Sequence, residues 1–377
     1  MSQSLRIHKL FPTNKKTVYS SLENIDFNLS FPNRALVCNS VRIEGTVEIY
    51  SDTDVRSVIT DDIYVDPLIG ANAFIESIQT TAEQKGILEN VQNLPRFCKM
   101  YNSGSNDPSD MVNISNTSEL KSSSLLASKN IFLGNFNADM TEAEALVAEG
   151  NSFSIKPYFI LNQTSRGESG GSVNLENATM GDIRISLRTT ANNASLFGAD
   201  AGPSCYYLLR DISLVFHSLP STGTQDKLVM RTKQLIRQSI QSGMGVISVN
   251  VPQLTNGVSI SFLESVKQNA DYYNNVQLDK IPNVEQVEFL INDSPSDFIT
   301  FQLRSQNEIL QNYINSISNS NLNAFSQNAI KSNEAYGIGI PFGDLLDMSK
   351  DRFSVNIASE LTVPFVCFCY FNGLVFV

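Results

Sequence analysis

The sequence predicts an all-β chain: two tandem antiparallel barrels of the sandwich or jelly-roll kind, with a few short helices in loops. Three observations point there. Apolar residues recur at every second position in segment after segment, the mark of strands with one buried face. The polar residues between these segments are mostly Ser, Asn, Thr and Gln, with only 17% of the chain charged, and such residues favour turns and caps over helix interiors. A length of 377 residues suits two domains, each large enough to bury its own core.

The alternation begins at 23–30, where Ile25, Phe27 and Leu29 share a face opposite Asn24, Asp26 and Asn28. It is cleaner at 41–50: Val41, Ile43, Val47 and Ile49 alternate with Arg42, Glu44, Thr46 and Glu48. Gly45 interrupts this pattern and predicts a bulge or bend. Ten residues at ~3.3 Å each make a strand of ~33 Å. Residues 70–79 (GANAFIESIQ) predict a further strand after a loop at 61–70. In 86–100 (GILENVQNLPRFCKM), Leu88, Val91 and Leu94 fall at helical spacing, predicting a short helix stopped or kinked near Pro95. The polar stretch 101–130 has neither period and is expected as a surface excursion. Thr141 and Glu144 have capping-box spacing ahead of a short acidic helix.

Strands resume at 153–162 (FSIKPYFILN), 181–188 (GDIRISLR) and 206–220 (YYLLRDISLVFHSLP). Pro220 and Gly223 in a short polar cluster mark the best domain boundary. Residues 225–241 fit a helix by Val229, Ile236 and Ile240 and a strand by Leu228 and Met230; the choice stays open. Alternation returns in Ile247, Val249 and Val251, then Val258, Ile260 and Phe262, then Ile299, Phe301 and Leu303. Ser305 and Glu308 form a capping box before Ile309, Leu310, Tyr313, Ile314 and Ile317, an amphipathic helix. Phe353, Val355 and Ile357 alternate, and the apolar run 364–377 predicts a strand buried on both faces. The order of parts repeats between the halves. The expected division is a basic N-terminal arm at 1–22, a first barrel at 23–220, a linker at 221–244 and a second barrel at 245–377.

The net charge is −11, yet residues 1–22 carry Arg6, Lys9, Lys15 and Lys16 with no acid. The acidic body repels nucleic acid. The basic arm is a candidate inner-face contact: four charges gain about 4 kcal/mol at an anionic surface, weak for one copy but multiplied over many linked copies. A frayed, solvated terminus accounts for the same residues equally well. No apolar run reaches 18 residues, so no transmembrane helix is expected and the chain is expected to be soluble. The five cysteines, Cys38, Cys98, Cys205, Cys367 and Cys369, are odd in number and scattered, which predicts reduced thiols and no structural disulfide.

Catalytic chemistry has little material. The two histidines, His8 and His217, cannot furnish a histidine-rich metal site or a triad. Cys367 and Cys369 share a strand face without a second ligand pair and are expected to pack as small hydrophobes. Gly337, Gly339 and Gly343 lack the Gly-Lys-Ser/Thr of a phosphate loop. Asn135, Asn137 and Asp139 imitate a calcium loop, but Met140 and Leu146 stand where it needs Gly and Glu. Asp61 and Asp62 read as a loop, and the absence of Trp weighs against a sugar groove. No catalytic, metal or cofactor-binding residue is expected.

The phrases GANAFIESIQ with GILENV, then FSIKPYFILN, GDIRISLR and YYLLRDISLVFHSLP, resemble the double jelly-roll major capsid proteins of polinton-like viruses and virophages, in the adenovirus-like lineage of tailless icosahedral double-stranded DNA viruses. The resemblance covers mainly residues 40–260, and the second half departs more from the family pattern. It implies a structural shell protein, not an enzyme: two upright barrels per chain, a homotrimer forming a pseudo-hexameric, hexon-like capsomer, and a place in the virion capsid after assembly inside the host cell. The implied partners are neighbouring capsomers, minor capsid and penton proteins, and an internal membrane or the genome met through the N-terminal arm. The long polar loops 101–152, 162–180 and 190–204 are expected to form the outward tower. Two other readings are a minor capsid, vertex or fibre protein, and a two-domain β-sandwich that binds carbohydrate or acts on glycosides.

Overall fold

A computed structural model describes residues 4–50, 63–66, 68–105, 151–162, 166–167, 174–198, 200–223, 228–241, 245–250, 254–268, 276–294, 302–303, 305–317, 336–347, 350–359 and 361–376. The strands of the first half are β1 (Arg6–Leu10), β2 (Val18–Tyr19), β3 (Asn24–Leu29), β4 (Arg34–Leu36), β5 (Arg42–Tyr50) and β6 (Ile75–Ala82). After them come β7 (Gly86–Gln92), β8 (Asn151–Ile155), β9 (Arg166–Gly167), β10 (Leu175–Glu176), β11 (Ile183–Thr189) and β12 (Tyr206–Pro220). In the second half lie β13 (Leu228–Ile240), β14 (Val246–Asn250), β15 (Leu254–Glu264) and β16 (Gln286–Ile291). The last four are β17 (Gln302–Leu303), β18 (Gly337–Asp347), β19 (Arg352–Ala358) and β20 (Phe365–Phe376).

The two halves follow one plan, pairing for pairing. Each half's final strand receives an early strand: β12 takes β1 and β2, and β20 takes β13. Each penultimate strand receives the next: β11 takes β3, and β19 takes β14. The final strand then pairs with β5 or β15, and the penultimate strand with β6 or β16. The short β7 and β17 extend from β6 and β16, and β8 and β18 flank β5 and β15. A 12-residue helix leaves each short strand, α1 (Leu94–Ser105) after β7 and α2 (Gln306–Ile317) after β17. Every one of these pairings is antiparallel, and the chain is two jelly rolls in tandem, as the alternation predicts.

Inward faces follow the sequence pattern. Ile25, Phe27 and Leu29 are buried, as are Ile183, Ile185 and Leu187 on β11, and β12 spans the segment read as a strand. The apolar run at the end resolves into two faces with a period of two. Phe365, Cys367, Cys369 and Phe371 enter the second barrel's core, while Val366, Phe368 and Tyr370 join the core of the first. The central strand of this sheet, β20, is thus buried on both faces over 365–371, which is why it carries no polar alternation.

Four local expectations change. Residues 70–74 form a 3-10 turn, and only Ile75 onward is strand. Residues 86–92 are a strand, not a helix, and α1 begins at Leu94 with Pro95 in its first turn; a proline there lacks no needed N–H and starts the helix that it was expected to stop. In 153–162 the strand ends at Ile155 and a 3-10 turn follows at Ile160–Asn162. The bulge near Gly45 lies on the partner strand instead: the β5 register shifts between Arg210 and Ser213, with Asp211 at φ 52°. Gly45 leaves room for it, since the Ile212 side chain occupies the position its Cβ would take.

The open segment 225–241 is a strand over 228–240, inside the stretch expected as a linker. Residues 6–10 and 18–19, inside the expected arm, pair with β12 in the same role. The polar excursion lies outside the described residues except for 101–105, which extend α1; the helix expected after Thr141 lies outside them too, as do Ile299 and Phe301. The capping box is formed: the Glu308 N–H donates to Ser305 Oγ (3.1 Å) and the Ser305 N–H to Glu308 Oε2 (3.4 Å). Ser305→Ala should lower stability by about 1 kcal/mol, read from the urea midpoint.

Candidate assembly and binding surfaces

The structure separates the four cations of the N-terminal segment. Lys9 Nζ lies 3.2 Å from Glu44 Oε2, an exposed pair, and Lys16 Nζ lies 2.5 Å and 2.6 Å from the two carboxylate oxygens of Glu23. Arg6 is exposed on β1, and Lys15 occupies a turn at φ 55°. On the same edge of the sheet, Leu5, Ile7 and Phe11 are 52%, 67% and 68% exposed, and the alternation of a strand sets them on one face. His8 stacks on Phe216 with ring centroids 4.6 Å apart, and its Nε2 lies 2.7 Å from Ser218 Oγ. Burial, then Arg34 and Arg6, lower its pKa, so it stays neutral near pH 7.

Other residues singled out in the sequence have structural explanations. Gly337 and Gly339 lie in β18 beneath α2, where the Tyr313 ring and Ser316 fill the space of a side chain. All five cysteines are buried with free thiols. Burial pushes the Cys369 thiol up to about 12 and raises Cys367 as well, which leaves both unreactive at neutral pH. Among the described residues no three His, Cys, Asp or Glu side chains gather as a metal site. Asp61, Asp62 and the segment Asn135–Leu146 lie outside those residues.

The seam between the barrels holds charges that sequence reasoning missed. α1 carries Arg96 and Lys99 among Leu94, Phe97, Cys98 and Met100, all buried. The Arg96 guanidinium donates to the Gln277 carbonyl (2.6 Å) and lies 4.2 Å from the Phe368 ring centre. Lys99 Nζ meets Asp66 Oδ2 at 2.7 Å, both side chains almost fully buried. Beside them opens a cleft of about 380 Å³ lined by Glu76, Arg96, Arg188, Arg237, Leu263 and Phe368, among others. Arg237 lies 5.6 Å from the same Phe368 ring. The available signal was basic residues inside an apolar phrase, since a buried charge needs a partner.

Glu76 is the most perturbed acid in this cleft. Burial raises its pKa to about 7, although Arg188, Arg96 and Arg237 all pull it down. Because the folded value lies above the unfolded one, the stabilisation linked to this group is full below about pH 4.5 and disappears as pH rises through about 7. Glu76→Gln should therefore add about 2–3 kcal/mol of stability at pH 8 and almost none at pH 4, measured by urea unfolding at both values.

No family model matches the chain, and no curated protein sequence matches it. Solved structures do. The mavirus major capsid protein aligns over 97% of this chain and 86% of its own, at 9% identity and a TM-score of 0.50. A chain of the Sputnik virophage aligns over 99% and 86%, at 12% identity and 0.55. The Faustovirus major capsid protein aligns over 100% and 90%, at 7% identity and 0.57. The chain has the double jelly-roll fold of viral major capsid proteins.

Proposed function

We propose that the chain is the major capsid protein of an icosahedral DNA virus, a structural subunit and not an enzyme, assembling as trimers into pseudo-hexagonal capsomers. The carrying observation is the strand plan executed twice, with the two barrels joined through a central strand, β20, that is apolar on both faces over 365–371. Two barrels in a chain give six around a threefold axis, which tile a hexagonal lattice with a single gene product. An edge strand that exposes Leu5, Ile7 and Phe11 fits a chain whose surface is covered in an assembly.

In this reading the first barrel begins at β1 and the second at β13, with residues 221–227 between them. Neighbouring capsomers and minor capsid or penton proteins are the partners. Arg6 and Lys15 are the inner-face cations of the N-terminal segment toward lipid or genome, with Lys9 and Lys16 partly neutralised by Glu44 and Glu23. The polar segments within 101–152, 162–180 and 190–204 that lie outside α1, β8, β9 and β10 form the outward tower in this reading, and assembly takes place inside the host cell.

Light scattering behind gel filtration tests the reading: a particle of three times the 41.6 kDa chain mass, with a hexagonal outline in negative stain, is the expected result. A monomer at micromolar concentration with no tendency to form arrays would end it.

A further inference from the structure

The cleft between the barrels gathers arginines from α1, β11 and β13. Its volume of about 380 Å³ lies within the range of small-ligand sites. Three guanidiniums face one carboxyl there, in a chain whose net charge is −11. Arg96 is engaged with the Gln277 carbonyl. Arg188 and Arg237 are exposed, and among the described residues neither forms an ion pair. Such forks match a carboxylate or a phosphate oxygen pair.

The walls choose between these two. Leu22, Pro95, Leu263, Val276 and Phe368 also line the cleft, and a bare phosphate would leave that apolar surface uncovered. A nucleic acid strand carries a charge at every phosphate, so a chain of net charge −11 repels it far more than it repels a single carboxylate. An acidic residue flanked by apolar side chains satisfies both the forks and the walls.

We propose that this cleft binds an acidic peptide segment of another protein, its carboxylate held by Arg188 and Arg237 and its apolar flank laid against Phe368 and Leu263. Glu76 makes the binding pH-dependent. The groups in its field are Arg188 from β11, Arg96 from α1, Arg237 from β13, and Tyr207 and Tyr370 from β12 and β20. Burial raises both tyrosines, so they remain neutral hydroxyls. Ionised, Glu76 competes with the ligand for the arginines; protonated, it leaves them to the ligand and offers an O–H donor. Binding takes up a proton and strengthens as pH falls through 7.

The test is calorimetry on the purified full chain with acetyl-Leu-Glu-Leu-amide, acetyl-Leu-Gln-Leu-amide and inorganic phosphate as probes, at pH 6 and pH 8. The Glu peptide should bind once per chain, about tenfold more tightly than the Gln peptide and about threefold more tightly at pH 6 than at pH 8. Arg188→Gln with Arg237→Gln, two exposed positions, should abolish binding with circular dichroism unchanged. Glu76→Gln should keep the binding and remove its pH dependence. Equal affinity for the two peptides, undiminished binding by the double variant, binding of phosphate alone, or no heat with any probe at millimolar concentration would each overturn the proposal. Binding is read per chain in any oligomeric state, so this result and that of the trimer test are independent.

Discussion

Asp66→Ala should lower the free energy of unfolding by about 3–5 kcal/mol, because it leaves the Lys99 ammonium in the interior without its carboxylate. The pair is 2.7 Å long, and its side chains are 3% and 2% exposed, so the charge left behind is almost out of reach of bulk water. Asp66 also orders the chain before β6. Its Oδ1 accepts the Leu68 N–H at 2.9 Å, and its carbonyl accepts the N–H groups of Ile69 and Gly70. The loss is large against the 5–15 kcal/mol that holds a typical domain. Asp66→Leu combined with Lys99→Met should recover most of it, since a packed apolar pair replaces a buried ion pair at little cost. Chemical denaturation of the three proteins checks this. A loss under about 1 kcal/mol in the single variant would show that the ammonium finds water or another acceptor, and the expectation would fail.

The fold was legible where one strand face meets water. Ile25, Phe27 and Leu29 on β3, and Ile183, Ile185 and Leu187 on β11, declare their inner face because Asn24, Asp26, Asn28, Arg184 and Arg188 occupy the other. It was obscure where both faces are apolar or where a short segment fits two periods. Leu88 and Val91 stand at helical spacing yet lie on a strand, because the β6–β7 register shifts between Thr80 and Thr81, and the bulge this leaves at Leu88 lets two residues three apart both be buried. β13 resisted assignment for a related reason: Leu235 packs on the first barrel's core and Ile236 on the second's. Two cores drawing on one strand erase the alternation.

The cleft was less legible still. Glu76, Arg188 and Arg237 come from three separate strands of two barrels, and nothing in their sequence neighbours brings them together. Only Arg96 and Lys99 gave a local sign, two basic residues in a phrase otherwise fit for a core. Whether Arg96 is a partnered interior group or a surface one depends on the second barrel, whose Gln277 and Phe368 it meets, and a single sequence carries no such information before the barrels are docked.

Arg96→Ala should cost about 3–5 kcal/mol, comparable to truncating a large aromatic core residue. The side chain crosses from α1 of the first barrel to the second, where it donates to the Gln277 carbonyl and lies over Phe368. Alanine removes the stacked guanidinium, leaves a cavity and deprives that carbonyl of its donor. Burial lowers the Arg96 pKa to about 10, so the guanidinium is charged at neutral pH and its cation is part of what is lost. Arg96→Met separates the contributions: it refills most of the volume, and the remaining deficit of about 1–3 kcal/mol measures the carbonyl and the charge. The pH dependence supplies a second readout. Arg96 is one of three cations that pull the Glu76 carboxyl down, so its removal raises that pKa further and steepens the loss of stability between pH 6 and 8. A variant that loses stability equally at every pH has lost packing alone. One that loses more at pH 8 shows the guanidinium and Glu76 sharing a single field across the seam, the arrangement that ties the two barrels into one block.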